Sequence, residues 1–344
     1  MAYEPGEIYF VRETAKELEL GRTPFVKVGL VKEKDGRDSF GRLAEHQTGN
    51  PRTLFINKED IVKTDAVTRI EALLHRIYAN KRINGEWFLL ETEEEIQEVI
   101  SKAKELSEEI KPYISKFDEA EKLKSKLSNG KTKPASEADL ANALKLATAK
   151  YKISLIEEAK NEVTSILIVI KEAGGDVSDV VRTIVKTFKP KFDEKAFKEA
   201  LPDMWKKYSV TEKTLVSPRF LPKAKFEFTE ESLDETFQLG LEKARNYLIE
   251  AKKSHNAILL NDASLLLTNL EGLAEWDLDL ATAELKISIG EFDGIEDLVM
   301  WKRVEAEKTT LNVGLLAAEQ DKTYKEYLVT PDPKEYELKK RKKA

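Results

Sequence analysis

Apolar and polar positions alternate in three short runs near the start of the chain. Residues 7–11 form a short run in which Glu7 is followed by apolar, β-branched and aromatic side chains. Residues 25–31 alternate with a period near two, and Lys27 breaks their apolar face. Residues 52–64 give a third extended stretch with a polar turn at 57–60. Runs of this kind predict three strands. Ser39 is placed to cap a short helix through Gln47, and Asp65 a longer one ending near Lys81. Asn84-Gly85 marks a turn ahead of the apolar run 87–90. Residues 1–91 therefore read as a small α+β domain.

After Thr92 the pattern becomes charged and helical in period. Residues 92–135 read as a helical linker, with a breaker cluster at 128–134. Residues 137–173 form one long helical pattern. Its stripe runs through Leu140, Leu144, Ala147, Tyr151, Ile156, Ala159, Val163, Ile166 and Ile170, and Gly174-Gly175 ends it. A helix of that length reaches about 50 Å, which suits a bundle or a coiled coil. The chain also resembles itself: residues 192–211 align without a gap on 311–330. Phe192 pairs with Leu311, Phe197 with Leu316, Trp205 with Tyr324 and Tyr208 with Tyr327. A long helix and a β-rich segment (180–188 and 295–304) precede each copy, and a short strand follows. The remainder is thus expected to be mostly helical, with two helix–β-hairpin–helix repeats at 136–228 and 229–344. The second ends in a basic tail at 339–343.

Composition sharpens this picture. Charged residues make up 35% of the 344 positions, above the usual ~25%, as long solvated helices require. The absence of cysteine excludes disulfide scaffolds, thiolate zinc sites, iron–sulfur clusters and cysteine nucleophiles. No apolar run approaches the ~18 residues of a membrane span, and the first residues lack the features of a signal peptide. A cytoplasmic protein without membrane contact is expected. The net charge of −6 argues against coating nucleic acid through bulk charge, but leaves room for a local basic site.

The candidate chemistry lies in the first 91 residues. Arg42 and His46, and likewise Glu71 and His75, stand four residues apart and share a helix face. Tyr9 and Lys27 fall on neighbouring strands. Phosphodiester hydrolysis uses such groups: a carboxylate for a divalent cation, a base to activate water, and cations to stabilise charge on phosphorus.

Five blocks in this order resemble the GIY-YIG nuclease superfamily. They are Gly6-Glu-Ile-Tyr-Phe-Val, Val26-Lys-Val-Gly29, Arg42-Leu-Ala-Glu-His46, Glu71-Ala-Leu-Leu-His75 and Gly85-Glu-Trp-Phe88. They look closest to the phage and bacterial branch, in which lysine stands at the second motif tyrosine. The resemblance implies a small antiparallel sheet with flanking helices. It implies Tyr9 beside the attacking water, Arg42 on the scissile phosphate, and Glu71 as the metal carboxylate for Mg²⁺ or Mn²⁺. Lys27 replaces a tyrosine and cannot act as a phenol. The general base stays open among Tyr9, His46 and a metal-bound water. His75 is open between a structural hydrogen bond and a catalytic role.

Ala283-Glu-Leu-Lys-Ile-Ser-Ile-Gly290, Gly294-Ile-Glu-Asp-Leu-Val-Met-Trp-Lys-Arg303 and Tyr324-Lys-Glu-Tyr-Leu328 resemble the tail that follows the nuclease core in YqaJ-type phage recombination exonucleases, whose own catalytic motif is missing here. Within it, Trp301, Lys302 and Arg303 are candidates to touch a nucleic-acid backbone. The leading expectation is a metal-dependent DNA endonuclease, its head positioned by helical units that could also bind a protein partner or a second copy of the chain. The alternatives are a nucleic-acid or protein binding module with an attenuated head, and a structural coiled-coil protein.

Overall fold

A computed structural model describes residues 3–19, 21–174, 181–186, 188–215, 219–330 and 334–340. Strand β1 (Gly6–Thr14) buries both faces: Ile8 and Phe10 enter one core, Tyr9 and Val11 another. A strand covered on both sides reads as a continuous apolar run. It pairs antiparallel with β2 (Arg22–Lys32). After α1 (Ser39–Gln47), the third extended stretch splits into β3 (Leu54–Phe55) and β4 (Val62–Thr64), both paired with β1. Helix α2 (Val67–Ile77) leads to β5 (Arg82–Asn84) and β6 (Trp87–Leu89). The sheet runs β3-β1-β2-β6-β5, with β4 also on β1. A small antiparallel sheet with flanking helices is therefore present.

The helix caps differ from those expected. Asp38, not Ser39, caps α1 by accepting from Gly41 N–H at 2.8 Å. Ser39 is instead buried, and its hydroxyl donates to Glu7 at 2.6 Å. Asp65 does not cap α2: Ala66 occupies the cap position, and Thr64 Oγ1 accepts from its N–H at 3.3 Å.

Helix α3 (Glu93–Ile110) starts at Thr92, whose hydroxyl accepts from Glu95 N–H, with three glutamates in its first turn. Both features stabilise a helix N-terminus. Ile96, Val99, Ile100, Ala103, Leu106 and Ile110 line one face of α3. They share a core with Ile8, Phe10, Val67, Ile70 and Leu74. Buried Arg12 pairs with Asp60 and with Glu93, each at 2.7 Å, and ties α3 to the sheet. The core of the head thus continues past residue 91 to Ile110.

Helix α4 (Ile114–Lys124) and β7 (Thr132–Lys133) follow, then α5 (Glu137–Glu172). The chain continues through β8 (Val181–Lys186), β9 (Lys191–Phe192), α6 (Glu194–Ala200), α7 (Pro202–Lys207), β10 (Ser209–Leu215) and β11 (Leu221–Pro222). Two long helices, α8 (Glu235–Ser254) and α9 (Ala257–Ile289), precede β12 (Gly294–Ile295) and β13 (Val299–Met300). The rest is β14 (Glu305–Leu311), α10 (Val313–Glu319), α11 (Asp321–Glu326), β15 (Leu328–Val329) and β16 (Lys334–Lys340).

Helices α5, α8 and α9 form a bundle. Ile156, Ile166 and Ile170 of α5 pack with Phe237, Leu241 and Leu248 of α8 and with Leu260 and Leu267 of α9. Near its start, α5 places Ala143 and Leu146 against Ala281, Leu285 and Ile289 at the end of α9, so the two helices are antiparallel. Leu140 and Leu144, expected in the buried stripe, are 51% and 45% exposed. The inward face there uses the smaller Ala143, which lets the helices approach closely. The breaker cluster at 128–134 contains β7, which pairs in parallel with β12 in the four-stranded sheet β11-β13-β12-β7. The head rests on α9: Arg69 and Arg76 of α2 pair with Asp279 at 3.1 Å and Glu275 at 2.8 Å. Arg69 also lies over the Trp276 ring.

A β-hairpin in each unit is not what forms. Among the described residues, β12 and β13 make one in the second unit, while β8 of the first pairs with β16 of the second. The α6–α7 and α10–α11 pairs match in length. Their cap dihedrals also agree, at φ −86°, ψ 86° for Asp193 and φ −81°, ψ 82° for Asn312. Their strands pair across: Phe192 opposite Leu328, and Ser209 opposite Leu311. Asp193 N–H donates to Tyr327 O at 2.8 Å, and Asn312 N–H to Tyr208 O at 2.9 Å. Phe197 and Leu316 fill the shared core. Of the expected basic tail, positions 341–343 lie outside the described residues.

Candidate active site

Tyr9 points from β1 toward α1, and Gly29 of β2 stands opposite it. A Cβ at Gly29 would lie 2.6 Å from the Tyr9 phenol oxygen, so only glycine leaves room for the ring. The phenol oxygen is 3.2 Å from His46 Nε2 on α1. Tyr9 is 1% exposed, and burial pushes its phenol up to about 12, a rise that nearby Arg42 opposes. The phenol is therefore neutral near pH 7. His46 lies below its ordinary value because of burial and the positive charges of Lys27 and Arg42. A neutral imidazole facing a neutral phenol can accept its proton. Arg42, one turn before His46, pairs with Glu45 and is half-exposed.

Lys27 of β2 is 8% exposed and forms an ion pair with Glu86, in the turn between β5 and β6. Burial raises the Glu86 carboxyl, but the Lys27 ammonium outweighs this and holds it below the ordinary range. Glu71 of α2 behaves oppositely. Burial, then the negative charge of Glu86, raises it to about 7. His75, one turn later, has Nε2 2.9 Å from Val28 O. Since a carbonyl only accepts, His75 Nε2 carries the proton. Burial lowers the His75 pKa, so the ring is neutral.

These residues act on one another pairwise: Arg42 and Glu71 on Tyr9, Lys27 and Arg42 on His46, and Lys27 on both Glu71 and His75. Glu86 belongs with them and was not singled out as a candidate from the sequence. Its signal was its place in the Gly85-Glu-Trp-Phe block. Trp301 and Arg303 lie elsewhere, in the core of the helical body, and are 1% and 0% exposed. Arg303 donates to the backbone oxygens of Leu123, Gly290 and Phe292, and its guanidinium stacks on Trp301. Lys302 alone of the three is exposed.

No group of three or more His, Asp or Glu side chains suited to a metal occurs among the described residues. The donor set fits a hard divalent ion that keeps most of its water. Glu71 would supply the one carboxylate oxygen for such an ion; burial and the negative charge of Glu86 raise its carboxyl.

The family model of the T5orf172 domain, a phage-associated domain found in nuclease contexts, matches residues 6–104. The match takes in every one of these site residues and enters α3. No curated protein matches the chain, and no solved structure does. No helix among the described residues is long and apolar enough to cross a membrane.

Proposed function

We propose that the head is a GIY-YIG-type, metal-dependent endonuclease that hydrolyses DNA phosphodiester bonds, with the helical body positioning it. One observation carries this reading: the Tyr9 phenol within 3.2 Å of a neutral His46, with the charges of Arg42 and Glu71 acting on Tyr9 and that of Lys27 on His46. Water attacking phosphorus passes a proton to the Tyr9 oxygen as the phenol proton moves to His46 Nε2. Arg42 and Lys27 stabilise the negative charge that grows on the phosphoryl oxygens. Glu71 would hold Mg²⁺ or Mn²⁺, which supplies Lewis-acid polarisation of the phosphate when bound. His75, through Val28 O, ties α2 to β2 and so fixes where Glu71 stands.

The test is nicking of supercoiled plasmid by the full chain with Mg²⁺ and with EDTA. Cleavage is expected with the ion only, and Glu71→Ala is expected to lose at least ~10³ in rate with the fold intact. A wild-type chain that never nicks DNA, or a Glu71→Ala chain that nicks normally, would overturn the reading.

A further inference from the structure

Lysine is a flexible point charge on a four-carbon stem, and ordering it costs rotamer entropy. At a reacting phosphate it is useful only if something fixes it. Glu86 is placed to do so at two adjacent points. Its backbone oxygen accepts from Val28 N–H at 2.9 Å, which docks the β5–β6 turn on β2. Its carboxylate meets the ammonium of Lys27, the preceding residue on that strand. Gly85, at φ +58°, takes the left-handed conformation that aims Glu86 back at β2. The pair is well shielded on the lysine side, where the side chain is 10% exposed.

We propose that Glu86 is a positioning residue: it holds the Lys27 ammonium on the sheet face that carries Tyr9, so that the lysine meets the substrate phosphate and Glu86 does not. This rests on the nuclease reading above. The competing role for Glu86 is as a second carboxylate on the metal, since its negative charge acts on Glu71. The Lys27 pair argues against that role, because a carboxylate bound to an ammonium gives up an oxygen to it.

The two roles separate in a double-mutant cycle. Single-turnover rates at saturating plasmid DNA are compared for wild type, Glu86→Gln, Lys27→Met and the double variant. If Glu86 acts through Lys27, Glu86→Gln costs ~10- to 10²-fold alone and nothing further beside Lys27→Met. Glu86→Asp should recover part of the loss, and Mn²⁺ affinity should be unchanged by Glu86→Gln. Equal costs in both backgrounds, or a tenfold loss of Mn²⁺ affinity, would overturn the proposal. A second readout needs no cleavage. Trace acetylation of the folded full chain, read by mass spectrometry, should modify Lys27 several-fold faster in Glu86→Gln than in wild type. An unchanged rate refutes the clamp. If wild type does not nick DNA, the nuclease reading falls, and Lys27 reactivity alone decides whether Glu86 holds the lysine.

Discussion

Glu71 is held where ionising it costs energy. Its carboxyl rises from 4.5 to about 7, mainly through burial. A carboxyl with a raised folded-state pKa binds more protons when folded. Its contribution to stability is therefore full below pH 4.5 and is lost as pH climbs through 7. Glu71→Gln should stabilise the metal-free protein at pH 8 by about 2 kcal/mol and leave it unchanged near pH 4. Urea denaturation in EDTA at the two pH values measures this; equal effects at both would place Glu71 in solvent. Gly29→Ala offers a second check, because its Cβ would push into the Tyr9 ring. The phenol would leave His46, and cleavage should fall ~10² while the head stays folded. The other candidate residues were singled out in advance because the five ordered blocks that resemble the GIY-YIG superfamily carry them; spacing alone put Arg42 with His46 and Glu71 with His75. Glu86 was not. It meets Lys27 because Trp87 pairs with Lys27, and sheet register between distant strands is absent from local pattern. Trp301 and Arg303 misled for a related reason: a basic run signals the surface, yet Arg303 is buried and its Nη1 and Nη2 donate to backbone carbonyls.

At the scale of elements, α3 decides what counts as the head. Its outer face is so rich in glutamate and lysine that residues after 92 read as a linker, while its inner face closes the core under β1 and α2. Uncovering Ile96, Val99, Ile100, Leu106 and Ile110 would cost roughly 8–15 kcal/mol, as much as a whole domain's usual stability of 5–15 kcal/mol. A fragment ending at Glu91 should therefore fail to fold, and one ending at Lys111 should melt cooperatively by circular dichroism. A cooperative melt from the shorter fragment would show that α3 is dispensable. The expected long helix of the body appears at Glu137–Glu172, since thirty-six residues without a breaker suit little else. Which of its leucines face inward depends on α9, and that could not be read from α5 by itself.

Across the whole molecule, the likeness of residues 192–211 to 311–330 was legible as a pattern of aromatic and aliphatic positions. That the strands pair between the segments was not, because no short turn joins them. Each helix pair borrows strands from the other, so neither should stand alone. A chain ending at Val304 should keep its head and bundle but lose protection of the α6–α7 amides in hydrogen exchange. Slow exchange there would show that the first pair is self-sufficient. The same borrowing sets a clock during synthesis. Strand β10 leaves the ribosome roughly a hundred residues before β14, an interval of about 5–20 s at 5–20 residues per second. Through that interval β10 has no partner, and unpaired edges recruit strands from other chains. The adjacent opposite charges of Glu212 and Lys213, at the centre of β10, guard against such recruitment. They matter most to the nascent chain, before Lys308 and Glu307 arrive to face them.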